Sequence, residues 1–194
     1  MIIEKEEIIS LLEDTGAIQH GHFILSSGKR SGTYCQCAKL FVHPEIAEKL
    51  CIELASKVKN LVNKKIDYVV APAMGGILVG YELARHLKSK SVFYERAENI
   101  FQLRRGFKIE PKSNVLLVED VITTGKSANE CISELNKIGV NLLAKVCIID
   151  RTNSDSEIQN PISIHKLDIP IYDKDSLPDD LKAIEAIKPG SRII

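Results

Sequence analysis

Apolar positions along this chain follow two different periods. From Pro44 onward Ile46, Ala47, Leu50, Leu54, Ala55 and Val58 recur at helical spacing, which predicts an amphipathic helix with proline in its first turn. The same period predicts helices over residues 4–15, closed by Gly16, and over 77–87 and 127–138. Between the helices lie short apolar runs at 66–71, 91–94, 114–118 and 143–149, with the length and flanks of mostly buried strands. Strands alternating with helices predict an α/β fold, a central, mostly parallel sheet flanked by helices. In such sheets ligands gather outside the carboxyl ends of the strands, so the residues just after each run are the candidates for function.

Three stretches depart from that rhythm. Residues 21–25 and 33–36 alternate as short strands around a polar turn at 26–32, making the N-terminal quarter small and mixed. Residues 95–111 carry Arg96, Arg104, Arg105, Gly106 and Lys108 with only a weak strand signal at 107–109; a polar connection of this length is expected to be functional or disordered. The tail reads as one more strand at 162–168 and a short helix within 178–187.

Composition narrows the class. The 194 residues are 44% hydrophobic and 27% charged, as expected of one globular domain. Twenty-six Lys+Arg balance twenty-six Asp+Glu, so no overall basic field exists for nucleic acid or a membrane surface, and any bound anion must be gripped locally. No apolar run approaches the ~20 residues of a membrane span, and the charged segment 1–7 offers no export signal. Five irregularly spaced cysteines then favour free thiols and a cytosolic setting. Cys35 with Cys37, and His20 with His22, are read as pairs sharing a strand face rather than as zinc ligands.

The sharpest local signal spans residues 115–127. A buried strand runs into the carboxylates Glu119 and Asp120, then Val121 and Ile122, then the turn Thr123, Thr124, Gly125, Lys126 and Ser127 that opens a helix. Unpaired N–H groups and the positive end of the helix dipole make that turn a phosphate cradle. It is not a nucleoside-triphosphate loop of the Gly-x-x-x-x-Gly-Lys type, because Asp120 occupies the position of the first glycine. Two carboxylates beside a phosphate loop would repel a triphosphate, but they suit the vicinal hydroxyls of a ribose 5-phosphate group.

This stretch resembles the signature of type I phosphoribosyltransferases: four apolar residues, two acids, two apolar residues, then Thr-x-Gly-x-Ser/Thr. The resemblance implies the type I phosphoribosyltransferase fold and the donor 5-phosphoribosyl 1-diphosphate (PRPP) with Mg²⁺. Glu119 and Asp120 would then hold the ribose hydroxyls as catalytic residues, residues 123–127 would surround the 5-phosphate, and Val121 and Ile122 would complete the PRPP-binding stretch. Phe23, Leu25, Ser27, Gly28, Ser31 and Tyr34 are further similar to the base-covering segment of orotate phosphoribosyltransferases, and residues 71–77 and 188–192 continue the similarity.

On that resemblance the reaction is transfer of the phosphoribosyl group to N1 of orotate in pyrimidine biosynthesis, with Arg151, Thr123 and Tyr34 contacting orotate. Arg151 follows the apolar run 143–149, and a planar guanidinium can bind a carboxylate bidentately. The family also implies a single domain over 1–194: a hood mainly from 1–43, a core over 44–160 whose loop 95–111 is mobile, and an extension over 161–194. A homodimer with shared sites is implied, and no nucleic-acid or membrane partner. Ser26 and Gly75 stand where lysines are common, and Cys35 where a second aromatic is often found. Arg104 and Arg105 are therefore assigned by charge, as catalytic cations on the leaving diphosphate, with Arg96 and Lys29 as further PRPP contacts. A purine-type transferase and a PRPP-sensing regulator without catalysis are the competing readings.

Overall fold

The computed structural model describes residues 3–25, 27–98 and 100–189; Ser26 and the terminal match at 190–192 lie outside them. In chain order the elements are α1 (Lys5–Asp14), β1 (Ile18–Ile24), β2 (Arg30–Cys35), a 3-10 helix (Cys37–Val42), α2 (Pro44–Leu61), β3 (Tyr68–Pro72), α3 (Gly76–Leu87), β4 (Lys90–Ala97) and β5 (Ile100–Leu103). There follow β6 (Asn114–Ile122), α4 (Lys126–Ile138), β7 (Asn141–Asp150), β8 (Ile162–Lys166), β9 (Ile171–Tyr172), α5 (Asp179–Lys182) and β10 (Ala186–Ile187).

The core is a six-stranded sheet in the order β5-β4-β3-β6-β7-β8, parallel throughout except for β5. Strand alternation splits its apolar side chains between two cores. Val69, Leu116, Val118 and Val146 join α1, α2 and α3 on one face. Tyr68, Val70, Val115, Leu117 and Cys147 pack with Cys131 and Leu135 of α4 on the other. Burial on both sides explains why these strands read as continuous apolar runs.

The structure changes three expectations. First, 95–111 is no featureless loop: β4 runs on to Ala97 and turns back as β5, with Arg96 opposite Phe101, while 107–109 forms no strand. Phe101 and Ile109 are buried and Phe107 meets Phe93 edge-on at 5.1 Å, so apolar anchors hold the arginine-rich segment at the sheet edge. Second, Ile8 and Leu12 place α1 in the main core rather than in the hood. Third, the hood is a four-stranded sheet in the order β10-β1-β2-β9, so the tail supplies both outer strands. Ser31 Oγ donates to Pro170 O at 3.2 Å and His22 Nδ1 lies 2.9 Å from Ile184 O, fastening the tail at both edges.

Candidate active site

β6 ends at the carboxyl edge of the sheet with both acids still in the strand. Strand alternation therefore turns them apart. Asp120 faces the start of α3, where a β-carbon on Gly75 would meet its carboxylate, while Glu119 lies within electrostatic range of Cys131 on α4. Burial, and next the charge of Asp120, push Glu119 from an ordinary 4.5 up to about 7. Its Oε1 is buried without a hydrogen-bond partner among the described residues. Asp120 is also raised by burial, opposed by the Val121 N–H that donates to its Oδ1 at 2.9 Å. Glu119 Oε1 thus lacks a donor, whereas Asp120 has backbone N–H groups that only partly offset its burial.

Beyond the acids, Thr123, Thr124 and Gly125 turn into α4. Gly125 has φ of +78°, and a β-carbon there would stand 2.6 Å from Ile158 Cγ1, so only glycine fits on both counts. The loop carbonyls are taken from outside: Ser156 Oγ donates to Thr123 O at 2.8 Å and Glu157 N–H to Thr124 O at 2.8 Å. Asn129 N–H to Gly125 O, 2.8 Å, is the bond that opens α4, so the N–H groups of Lys126 and Ser127 precede it. Exposed Thr123, Thr124 and Lys126 surround them.

Arg151 follows β7 at the same edge, and its own N–H donates to Ile122 O at 2.8 Å. Its Nε is buried and unpartnered among the described residues. The thiol of Cys37 is pushed far up by burial, then by Asp120, with Arg151 opposing; Cys35 is raised by burial and held back by Arg151. The end of β2 and the 3-10 helix thus sit within reach of both the acid and the guanidinium. Tyr34, one residue earlier and so on the other side of β2, packs on Phe23 with ring centroids 5.6 Å apart.

Of the cations chosen by charge, Arg96, Arg105 and Lys29 are held in ion pairs with acids of the protein. Arg96 pairs with Glu130 of α4 and covers the Phe101 ring at 4.1 Å. Arg105 binds Glu95 through both carboxylate oxygens, at 2.8 and 3.1 Å, and Arg104 is exposed on the same turn. Lys29 pairs with Asp173 of the tail at 3.3 Å. A cleft of about 580 Å³ opens at the other end of the sheet, around Lys65, Lys88 and Lys112. There α2, α3 and α4 present their electronegative C-terminal ends, so the phosphate cradle belongs at the carboxyl edge.

Residues 41–173 match the model of the phosphoribosyl transferase domain. The chain belongs to the phosphoribosyltransferase family. Among curated relatives of this transferase, "Orotate phosphoribosyltransferase" of Bartonella henselae is 45% identical over 193 residues, covering 99% of this chain and all of that one. The protein of the same name from Maricaulis maris is 43% identical over 189 residues, 97% of each chain. The crystal structure of orotate phosphoribosyltransferase from Aeropyrum pernix shares the fold, with a TM-score of 0.68 at 24% identity over 82% of this chain and 93% of that one.

Three residues of this phosphoribosyltransferase site escape a reading of the sequence: Ser156, Glu157 and Ile158, which brace the phosphate loop. No motif marks them, because each acts on a partner more than thirty positions away. Gly75 stands out in the sequence as a missing lysine, but its approach to Asp120 does not.

Proposed function

We propose that this protein is an orotate phosphoribosyltransferase, which transfers the 5-phosphoribosyl group of PRPP to N1 of orotate and releases diphosphate, a step of pyrimidine nucleotide synthesis. The observation that carries the reading is Arg151: a guanidinium with a buried, unpartnered Nε, anchored by its own backbone to the strand that bears Glu119 and Asp120. A carboxylated base fits that group, whereas a purine offers it no anion. Relatives of that name at 43–45% identity over nearly the whole chain support the same base.

In this mechanism the N–H groups and hydroxyls of residues 123–127, with Val121 and Ile122 leading into them, seat the 5-phosphate. Asp120 and Glu119 accept hydrogen bonds from the ribose hydroxyls, which gives the unpartnered Glu119 Oε1 a donor. Arg151 and Thr123 hold orotate under the hood, with Tyr34 on the hood's β2. The sugar carbon develops oxocarbenium character as diphosphate departs, so the protein acts by positioning and charge stabilisation without a covalent nucleophile. The adjacent carboxylates, one with an unpartnered oxygen, also fit a divalent cation such as Mg²⁺, which would neutralise diphosphate charge when bound.

Arg104 and Arg105 are proposed to meet the diphosphate from the β4–β5 hairpin, with Arg96 and Lys29 as further contributors. A homodimer is supported by the exposed stripe of Met74, Leu78 and Tyr81, 82%, 54% and 65% accessible, which runs along α3 beside Gly75. Five free cysteines suit a cytoplasmic setting. Among the described residues no helix is long and apolar enough to cross a membrane.

The test offers the protein PRPP and Mg²⁺ with orotate, adenine or hypoxanthine in turn, and follows base consumption and diphosphate release. Orotate alone should be consumed. Turnover of a purine would move the protein to the other transferase class, and PRPP binding without any turnover would make it a sensor.

A further inference from the structure

A phosphate loop works only if its N–H groups face the ligand, and each peptide that turns its N–H outward must send its carbonyl the other way. In this chain the carbonyls of Thr123 and Thr124 do not end in solvent. They are taken by two consecutive donors of one segment, Ser156 Oγ at 2.8 Å and Glu157 N–H at 2.8 Å. Ile158 then fills the space beneath Gly125. The brace is itself built: Ser156, 9% exposed, accepts Asn153 N–H at 3.0 Å, and Gln159 Nε2 donates to the carbonyls of Asn153 and Ser156 at 2.9 and 2.7 Å. Thr152 N–H is held by buried Asp150 at 2.8 Å, and Arg151 by Ile122, so the segment that braces the phosphate loop is the continuation of the one that carries Arg151.

We propose that Ser156 is a positioning residue for the 5-phosphate. Its one hydroxyl proton has two acceptors in range, Thr123 O at 2.8 Å and Asn153 Oδ1 at 3.2 Å; given to the nearer, it fixes the peptide between Thr123 and Thr124 with the carbonyl turned away from the ligand, and thereby sets the N–H groups of the cradle toward it. The inference rests on the phosphate-loop part of the proposed function and is independent of which base is transferred. Truncating Ser156 to alanine leaves Thr123 O without its donor, so the peptide is free to rotate and present a carbonyl to the phosphate, a repulsive contact where an attractive one stood.

The experiment measures ribose 5-phosphate binding by calorimetry, beside steady-state kinetics with PRPP and orotate, for the unaltered protein, Ser156→Ala and Ser156→Thr. Ser156→Ala should weaken ribose 5-phosphate and raise the KM for PRPP by about tenfold, roughly the loss of one hydrogen bond to a partner then left unpaired. The KM for orotate should rise less than that for PRPP, because Arg151 keeps its own bond to Ile122 while only the Thr123 contact is shared. Ser156→Thr, which retains the hydroxyl, should recover most of the affinity. If Ser156→Ala does not fold, near-isosteric Ser156→Cys, a weaker donor, is held to the same criterion. Ribose 5-phosphate affinity within about twofold of the unaltered protein in the alanine or cysteine variant overturns the assignment. Failure of base transfer alone overturns the proposed reaction, while ribose 5-phosphate affinity still decides the role of Ser156.

Discussion

A β-carbon on Gly75 would stand 2.8 Å from Oδ1 and 2.9 Å from Oδ2 of Asp120, inside the volume the carboxylate occupies. The residue ahead of α3 and the second acid of β6 therefore compete for one space. Gly75 has ordinary helical angles, φ −58° and ψ −38°, so nothing in its backbone requires glycine. The constraint is Asp120 alone.

Gly75→Ala should accordingly separate stability from binding. The backbone accepts alanine, and a thermal midpoint equal to or slightly above that of the parent is expected. Asp120 must turn aside, and the KM for PRPP should rise about tenfold, the scale of one displaced charged hydrogen-bond acceptor. In Asp120→Asn, which is itself expected to lose most transfer activity, adding Gly75→Ala should have a smaller effect than alone, as for groups that share a contact. Additive effects in a double-mutant cycle would refute the shared space.

Glu119 sets a pH dependence with a definite sign. Its folded value of about 7 lies above the ordinary 4.5, so between these pH values the native protein holds a proton that the unfolded chain has released. The stability this group contributes is complete below about 4.5 and is lost as pH rises through about 7. Binding runs the other way, since ribose hydroxyls need the charged acceptor. kcat/KM for PRPP should therefore fall as pH drops below about 7, and Glu119→Gln should lack that limb and be relatively more stable at pH 8. Parallel pH profiles for parent and variant would remove Glu119 from the ribose site.

The third expectation concerns the hairpin. Arg105 is 63% exposed, and at such a solvent-screened surface position its pairing with Glu95 contributes little to stability. If that pair stores the cation for the diphosphate, Glu95→Gln should lower the KM for PRPP by about two- to threefold with an unchanged thermal midpoint. Combined Arg104→Ala and Arg105→Ala should raise that KM and reduce kcat. Unchanged kinetics in the double variant would exclude both arginines.

Local chemistry was legible and remote pairing was not. The run from Val115 to Ser127 carries its strand, its acids and its phosphate turn within one continuous stretch, so periodicity and turn chemistry suffice to read it. The helix from Pro44 and the strands buried on both faces are similarly self-declaring. Strands β9 and β10 have two residues each, too few for alternation to show, and they exist only through β1 and β2. The hairpin was hidden by composition, because the charged residues around it mask a four-residue strand whose inward side is only Phe101 and half-buried Leu103. Ser156 has no local signature at all: its importance lies in a carbonyl 33 positions away.

The hood's strand order also governs when a growing chain can use its site. The sheet core closes on local βα units, but β1 acquires its outer neighbour from a segment whose carbonyl meets His22 across 162 positions. During synthesis the phosphate cradle can therefore form while the base-covering sheet still lacks both of its borders. The roof over the base is thus the last part of the site to be completed, because both of its outer strands come from the tail.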